Sequence, residues 1–323
     1  MGQLTVLVTG ASGFLGAHVV SALRQRGHSV VALVRQTQRA PQSWLTDQSI
    51  TTVVSDLLDP TDELLNRCAD CDAVVHCAAL MSGTDQDHAA ATLPMTEQAG
   101  RMMSKGAHLV LVSSLSVYDV SSLAAFAELD ETSPLEGDGA GRDAYCRAKL
   151  AQEQIARRIA SERELGLSIL RPGAIFGPGR LWNSHVGIAQ GPILVRIGKR
   201  GQIPLSFVDH TAEAIALAVE DRKGCGVVNV VDDDLPERGA FVTALRLTGW
   251  PRATLPLSYS LFKKLAPIVG NLPGSPGLFR RKTLAARLQP QRYSNALLHD
   301  RLGWTPRFGF EQAMRRSIER NNP

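Results

Sequence analysis

The chain has 323 residues, of which 44% are apolar and 20% charged, with a net charge of +4 and five cysteines. The apolar share excludes a disordered chain, and no run of eighteen uncharged apolar residues offers a transmembrane helix. An odd number of irregularly spaced cysteines speaks against a disulfide framework and for a reducing cytoplasm. Only 5% of residues are aromatic while glycine is plentiful at 28, a profile that suits a helix-covered parallel sheet.

Read from the N-terminus, Met1-Gly2-Gln3-Leu4 leads straight into a strand, without the basic segment and small-residue site of a signal peptide. Val6 stands where a myristoylation signal needs Ser or Thr. Short β-branched runs then alternate with helical spacing. Leu4–Thr9, Ser29–Val34, Ile50–Val54, Ala73–His76, His108–Ser113 and Leu167–Leu170 are expected strands, apolar on both sides as in a doubly covered parallel sheet. Leu15–Arg26 and Tyr145–Leu165 are expected helices, with Gly27 and Gly166 as their C-caps. The fold class expected from these βαβ units is α/β, a Rossmann-type doubly wound parallel sheet.

Beyond residue 175 glycine and proline punctuate the chain. A helix is expected over His210–Glu220 and a strand over Val227–Val231, whereas the proline-broken segment Leu255–Phe279 reads as a lid or substrate lobe without a core helix. The expected division is 1–175 for the dinucleotide-binding domain, joined by 202–232, with 176–201 and 233–323 as a smaller C-terminal substrate lobe. Residues 276–323 carry ten Arg or Lys against three Asp or Glu. Lacking interleaved aromatics, this stretch reads as a solvated basic face, and no nucleic-acid partner is expected.

Three patterns carry chemistry. In Gly10-Ala11-Ser12-Gly13-Phe14-Leu15-Gly16, directly after the first strand, Gly10 allows the tight turn, Gly13 lets backbone approach a pyrophosphate and Gly16 allows close helix packing. At the end of the second strand, where a carboxylate would hold a free ribose 2′-hydroxyl, stands Arg35, followed by Arg39, with no acid before Asp47. A guanidinium suits a 2′-phosphate, so NADP(H) is expected over NAD(H). Tyr145 and Lys149, four apart, share a helix face, where an ammonium favours ionisation of a phenol. Ser114, in the loop after the fifth strand, is placed to hydrogen-bond a substrate oxygen.

The order of these motifs, together with Asp56-Leu57, His76-Cys77-Ala78-Ala79, Ser113-Ser114-x-x-Val117-Tyr118 and Arg171-Pro172-Gly173, resembles the extended short-chain dehydrogenase/reductases over nearly the whole chain. That resemblance implies a Ser114/Tyr145/Lys149 catalytic set, with Tyr145 and Lys149 also touching the cofactor. It further implies Asp56 and Leu57 near the adenine, Ala78 near the ribose, Pro172 beside the nicotinamide, and a homodimer. Pro172-Gly173 in place of the Phe-Asn pair of nucleotide-sugar enzymes, the run Ser206-Phe207-Val208-Asp209-His210 and the ending Leu302-Gly303-Trp304-Thr305-Pro306 are similar to the 3β-hydroxysteroid dehydrogenase and dihydroflavonol reductase branch. The family's relay Asn is replaced within Ala89-Ala90-Ala91, its following Gly-Thr is missing near Leu93-Pro94-Met95, and Ala148 stands for its usual Ser.

These signs lead to an NADP(H)-dependent oxidoreductase interconverting a secondary alcohol and a ketone or aldehyde on a small apolar substrate. The alternatives are a nucleotide-sugar epimerase or dehydratase with tightly held cofactor, and a non-catalytic NADP(H)-sensing protein. Other chemistry-bearing residues take structural readings. Cys68-x-x-Cys71 has no second ligand pair, so no metal is expected. Asp232-Asp233-Asp234 is expected to be a solvated turn, and His185 and His210 serve loops or caps.

Overall fold

The computed structural model describes residues 2–139, 141–270 and 279–320. Seven parallel strands form the central sheet: β1 (Thr5–Thr9), β2 (Ser29–Val34), β3 (Ile50–Val54), β4 (Ala73–His76), β5 (His108–Val112), β6 (Gly166–Pro172) and, later in the chain, the strand Gly226–Val230. Their spatial order is Gly226–Val230, β6, β5, β4, β1, β2, β3. The order reverses between β1 and β4, which makes a crevice at the carboxyl ends of those strands, the usual ligand position in such sheets.

Alternation along each strand feeds two apolar layers. Val6, Val8, Val30, Ala32 and Val75 pack under α1 (Phe14–Gln25) and the helix Val208–Glu220. Leu7, Val31, Leu33, Val74 and Leu109 face α2 (Asp62–Ala69), α3 (Leu93–Arg101) and α4 (Ala144–Arg163). Burial on both faces is why these runs lack polar alternation. Cys68 and Cys71 lie in the second layer, and burial pushes both thiols up to about 12.

β7 (Ala174–Phe176) pairs in parallel with β10 (Leu205–Phe207), while β8 (Gly187–Gln190) and β9 (Ile193–Ile197) form an antiparallel pair. The strand Gly226–Val230 is β11, and β12 (Ala253–Leu257) runs parallel to β9. Val208–Glu220 is α5, followed by α6 (Tyr259–Gly270), α7 (Arg281–Leu288) and α8 (Phe310–Glu319). Among the described residues, no helix is long and apolar enough to cross a membrane.

Three local expectations are corrected. Gly166 starts β6, and the left-handed C-cap of α4 is Glu164, with φ 54°. Leu255–Phe279 contains the end of β12 and all twelve residues of α6, because Phe262 and Ala266 bury one helical stripe beside Leu284 and Leu288. Residues 271–278 of that segment lie outside the described residues. Asp232-Asp233-Asp234 is a solvated bend only at Asp233 and Asp234, and even these two are engaged by side chain and backbone. Asp232 is buried and accepts from the Phe207 N–H at 3.0 Å, Asp233 accepts from Asn295 Nδ2 at 2.7 Å, and Asp234 accepts from the Phe310 N–H at the start of α8 at 3.0 Å.

The histidines do serve loops and packing. His210 Nε2 accepts from the Arg307 N–H at 3.2 Å, which leaves Nδ1 to donate to Asp232 at 2.9 Å. His185 Nδ1 lies 2.6 Å from Asn183 Oδ1 within its own loop.

Candidate active site

β1 delivers Thr9 and then Gly10, whose φ of +64° disfavours a side chain and where a Cβ would lie 3.0 Å from the Ala78 backbone nitrogen. The Gly13 N–H closes the turn on Gly10 O at 2.9 Å, and a side chain at Gly16 would overlap that same carbonyl. The loop therefore lies against both α1 and the end of β4. Thr9 Oγ1 accepts from the Ala78 N–H at 3.3 Å and lies 2.9 Å from His76 Nδ1. Gly13 is exposed, and Ser12, Phe14 and Leu15 are half-buried around it. No side chain caps α1 and no acid stands in its first turn. Its leading N–H donors thus remain available to an anion, reinforced by the helix dipole.

The other expected cofactor residues follow the carboxyl ends of neighbouring strands. Arg35 and Arg39 are exposed after β2, and the first carboxylate beyond them, Asp47, is engaged by Arg24 at 2.9 Å. Asp56 is exposed after β3 and accepts from the Leu58 N–H at 2.9 Å, while Leu57 is buried. Ala78 is half-buried after β4, and Pro172 is buried at the end of β6. Ser114 follows β5 and N-caps a short 3-10 turn, where its Oγ accepts from the Ser116 N–H at 3.1 Å. These residues share the carboxyl edge of the sheet with the uncapped start of α1.

α4 starts at Ala144 because the Asp143 carboxylate caps the Cys146 N–H at 3.0 Å. In its first turn, Tyr145 lies close enough to Ser114 for that hydroxyl to favour its ionised form, and Lys149 Nζ sits 5.7 Å from the Tyr145 ring centroid. Lys149 is buried and donates to Val112 O at 2.9 Å, at the end of β5. Burial draws its pKa down to about 8, against the opposing pull of Cys77 and Glu153. Tyr145 departs from the expectation of a phenol brought down by the lysine. Burial outweighs the influence of the Ser114 hydroxyl and lifts it to about 12, so Tyr145 is protonated at neutral pH. His76, between Thr9 and Thr96, is driven down to about 3 by burial and then by Lys149, and stays neutral.

Sequence reasoning overlooked what supports this cluster. Arg171 on β6 makes two hydrogen bonds to Glu153, at 2.9 and 2.7 Å, one turn beyond Lys149 on α4. Ser113 donates to the same carboxylate at 2.6 Å, and Arg171 also reaches the Tyr118 hydroxyl, which donates to Asn229 on β11 at 2.7 Å. An arginine in an otherwise apolar strand, with an acid four residues after Lys149, was the available signal. The segment around Ala89–Ala91, where the family Asn is missing, forms a π-helical turn over His88–Thr92. His88 is buried in it with Nδ1 3.0 Å from Thr92 Oγ1.

Among the described residues, no group of three His, Cys, Asp or Glu is arranged to hold a metal ion. In comparisons with known proteins, the model of the NAD dependent epimerase/dehydratase family matches residues 6–230. A 3-diazoavenalumate denitrifying reductase of Streptomyces sp. is 32% identical over 247 residues, 72% of this chain and 77% of its own. A 2-alkyl-3-oxoalkanoate reductase of Stenotrophomonas maltophilia (strain K279a) is 27% identical over 97% of this chain and 98% of its own. Six further relatives are spanned over only 4% to 57% of their own length. The solved structure of MoeE5 in complex with UDP-glucuronic acid and NAD superposes with a TM-score of 0.68 at 24% identity, covering 99% of this chain and 98% of that one, a likeness of fold. With the glycine loop, the strand order and a family match spanning most of the central sheet, this chain belongs to the NAD-dependent epimerase/dehydratase family of enzymes.

Proposed function

We propose that the protein is an NADP(H)-dependent reductase that interconverts a ketone or aldehyde and the corresponding alcohol on an apolar substrate. The observation that carries this reading is the Tyr145 phenol, protonated, beside Ser114 and one turn before a buried lysine, at the carboxyl edge of the sheet. The chain's own residues fit a dinucleotide. The uncapped first turn of α1 accepts the pyrophosphate, Ala78, Asp56 and Leu57 border the adenosine half, Pro172 borders the nicotinamide, and Arg35 with Arg39 matches a 2′-phosphate. When bound, the nicotinamide supplies or accepts the hydride.

Tyr145 gives its proton to the substrate oxygen as that oxygen gains charge, and takes it back in the oxidative direction. Ser114 donates to the same oxygen and holds it in line with the phenol. Lys149, close to its titration point at mild alkaline pH, stabilises the tyrosinate that remains and replaces its proton. In this reading residues 1–175 and 202–232 form the cofactor unit, and 176–201 with 233–323 form the substrate lobe. The steroid-dehydrogenase-like branch is supported by Pro172-Gly173, and the apolar substrate by the full-length relative named for a 2-alkyl-3-oxoalkanoate.

A nucleotide-sugar epimerase is the second reading, favoured by the fold it shares with MoeE5 and weakened by Pro172-Gly173 in place of Phe-Asn. The test is Tyr145→Phe. Turnover of a ketone with NADPH is expected to fall by about 10³-fold, within the range for a lost general acid, while NADPH binding by calorimetry stays unchanged. Turnover within tenfold of wild type would remove Tyr145 from the chemistry.

A further inference from the structure

A second concavity opens in the C-terminal part of the chain, a cleft of about 1140 Å³ between the loop after β9, the end of β12, α6 and the start of α7. It shares no residue with the glycine loop or with Ser114, Tyr145 and Lys149. Apolar lining is supplied by Phe126, Leu257, Ala266, Phe279 and Leu284. With that lining stand six cations, Arg196, Lys199, Arg200, Lys263, Lys264 and Arg281, and no carboxylate lines the cleft among the described residues.

Among the described residues this charge has little local compensation. None of the six appears in an ion pair with a described carboxylate, although the chain as a whole is nearly balanced at 35 basic and 31 acidic residues. Two polar atoms of the lining, Arg196 Nε and Tyr259 Oη, are buried without a hydrogen-bond partner. Such orphaned groups cost free energy unless something outside the chain satisfies them. The walls are also held in place. Arg238, buried, donates to Arg200 O at 2.6 Å and to Leu288 O at 3.0 Å, and the Phe126 N–H donates to Pro290 O at 2.7 Å. Six like charges gathered around an apolar lining raise the local potential and favour a ligand with an anionic head and an apolar body.

We propose that this cleft is a binding site for a single-chain amphipathic anion, an apolar chain ending in a carboxylate, with Arg196 and Tyr259 at the head group and the aromatic and leucine lining along the chain. A concave apolar lining suits a free molecule better than a flat surface, so the free amphiphile, and not a membrane, is the occupant. The cleft shares no lining residue with the Tyr145 cluster, and a binding readout keeps the two proposals separable.

The experiment titrates the full chain with monomeric dodecanoate by calorimetry at low salt. One-site binding is expected, unchanged in Tyr145→Phe and at least tenfold weaker in Lys263→Glu/Lys264→Glu, whose side chains are exposed. Lys199→Glu, on a separate loop, is the second variant and is expected to weaken binding in the same direction. Arg196→Gln is expected to weaken binding at least fivefold, and dodecyltrimethylammonium is expected not to bind. Equal affinity in both charge-reversed variants, or equal binding of the cationic amphiphile, would overturn the proposal. So would a protein that ignores monomeric dodecanoate yet sediments with phosphatidylglycerol vesicles, which would make the cleft part of a membrane-facing surface.

Discussion

Beside α4 and in the C-terminal part of the chain, buried arginines are handled in opposite ways. Arg171 and Arg142 each meet a buried carboxylate, Glu153 at 2.7 Å and Glu136 at 2.9 Å. Arg238, just as deeply buried, donates to three main-chain carbonyls, those of His185, Arg200 and Leu288. The first arrangement neutralises charge and locks α4 onto the sheet, so Lys149 is the buried cation of that region whose charge stays adjustable. The second stitches loops together without neutralising anything, and leaves the basic cleft beside it with a surplus that an anion would balance. Charge is thus cancelled around the proposed proton donor, and left standing around the cleft proposed to take an anion.

The sharpest way to break this comparison is to remove one partner of the buried pair. Arg171→Met leaves Glu153 facing only the Ser113 hydroxyl and the more distant Arg157, 3.7 Å away and half exposed. A loss of about 3–5 kcal/mol in denaturant unfolding is expected, as for other broken buried pairs, with Arg171→Met/Glu153→Leu recovering most of it. An unrescued double variant would show that the pair is not the reason for the loss.

Lys149 is the next test and has the opposite sign. Its folded pKa of about 8 lies below the ordinary value of 10.5, so between those values the unfolded chain binds more protons and wild-type stability rises with pH. The burden of the buried charge is fully present below pH 8 and gone above 10.5. Lys149→Met is therefore expected to be more stable than wild type near neutrality, by up to about 3 kcal/mol, with the gap closing as pH climbs through that window. A gap independent of pH would contradict a strained ammonium.

The smallest effect concerns an exposed cation. Arg35→Asp is expected to shift the ratio of kcat/KM for NADPH over NADH by at least about tenfold toward NADH, roughly 1.4 kcal/mol. An unchanged ratio would separate Arg35 from cofactor choice.

Most of the sheet was legible because its signal is local. β2, β3 and β4 coincide with the β-branched runs that mark them, and the residues at the carboxyl edge follow from counting a few positions beyond each strand. Ser114 and Tyr145 are thirty-one positions apart, yet each is fixed by its own element, so motif order sufficed to bring them together. What sequence reasoning missed depends on partners far along the chain. The roles of Asp232, Asp233 and Asp234 are set by residues 25, 62 and 76 positions away, which no local pattern announces. α6 was hidden by prolines that suggested an irregular lid, although Phe262 and Ala266 at helical spacing bury a stripe. The tyrosine's upward shift was missed because motif spacing conveys the neighbouring ammonium and not the depth of burial.

The central claim is that Tyr145 serves net reduction. It is tested most directly by mixing the protein with NADPH and a panel of apolar ketones and, separately, with UDP-sugars, while following reduced-nicotinamide absorbance. A sustained loss of absorbance with a ketone, absent in Tyr145→Phe, is the expected result. Conversion of a UDP-sugar to its epimer at constant absorbance, with no ketone reduced, would contradict it.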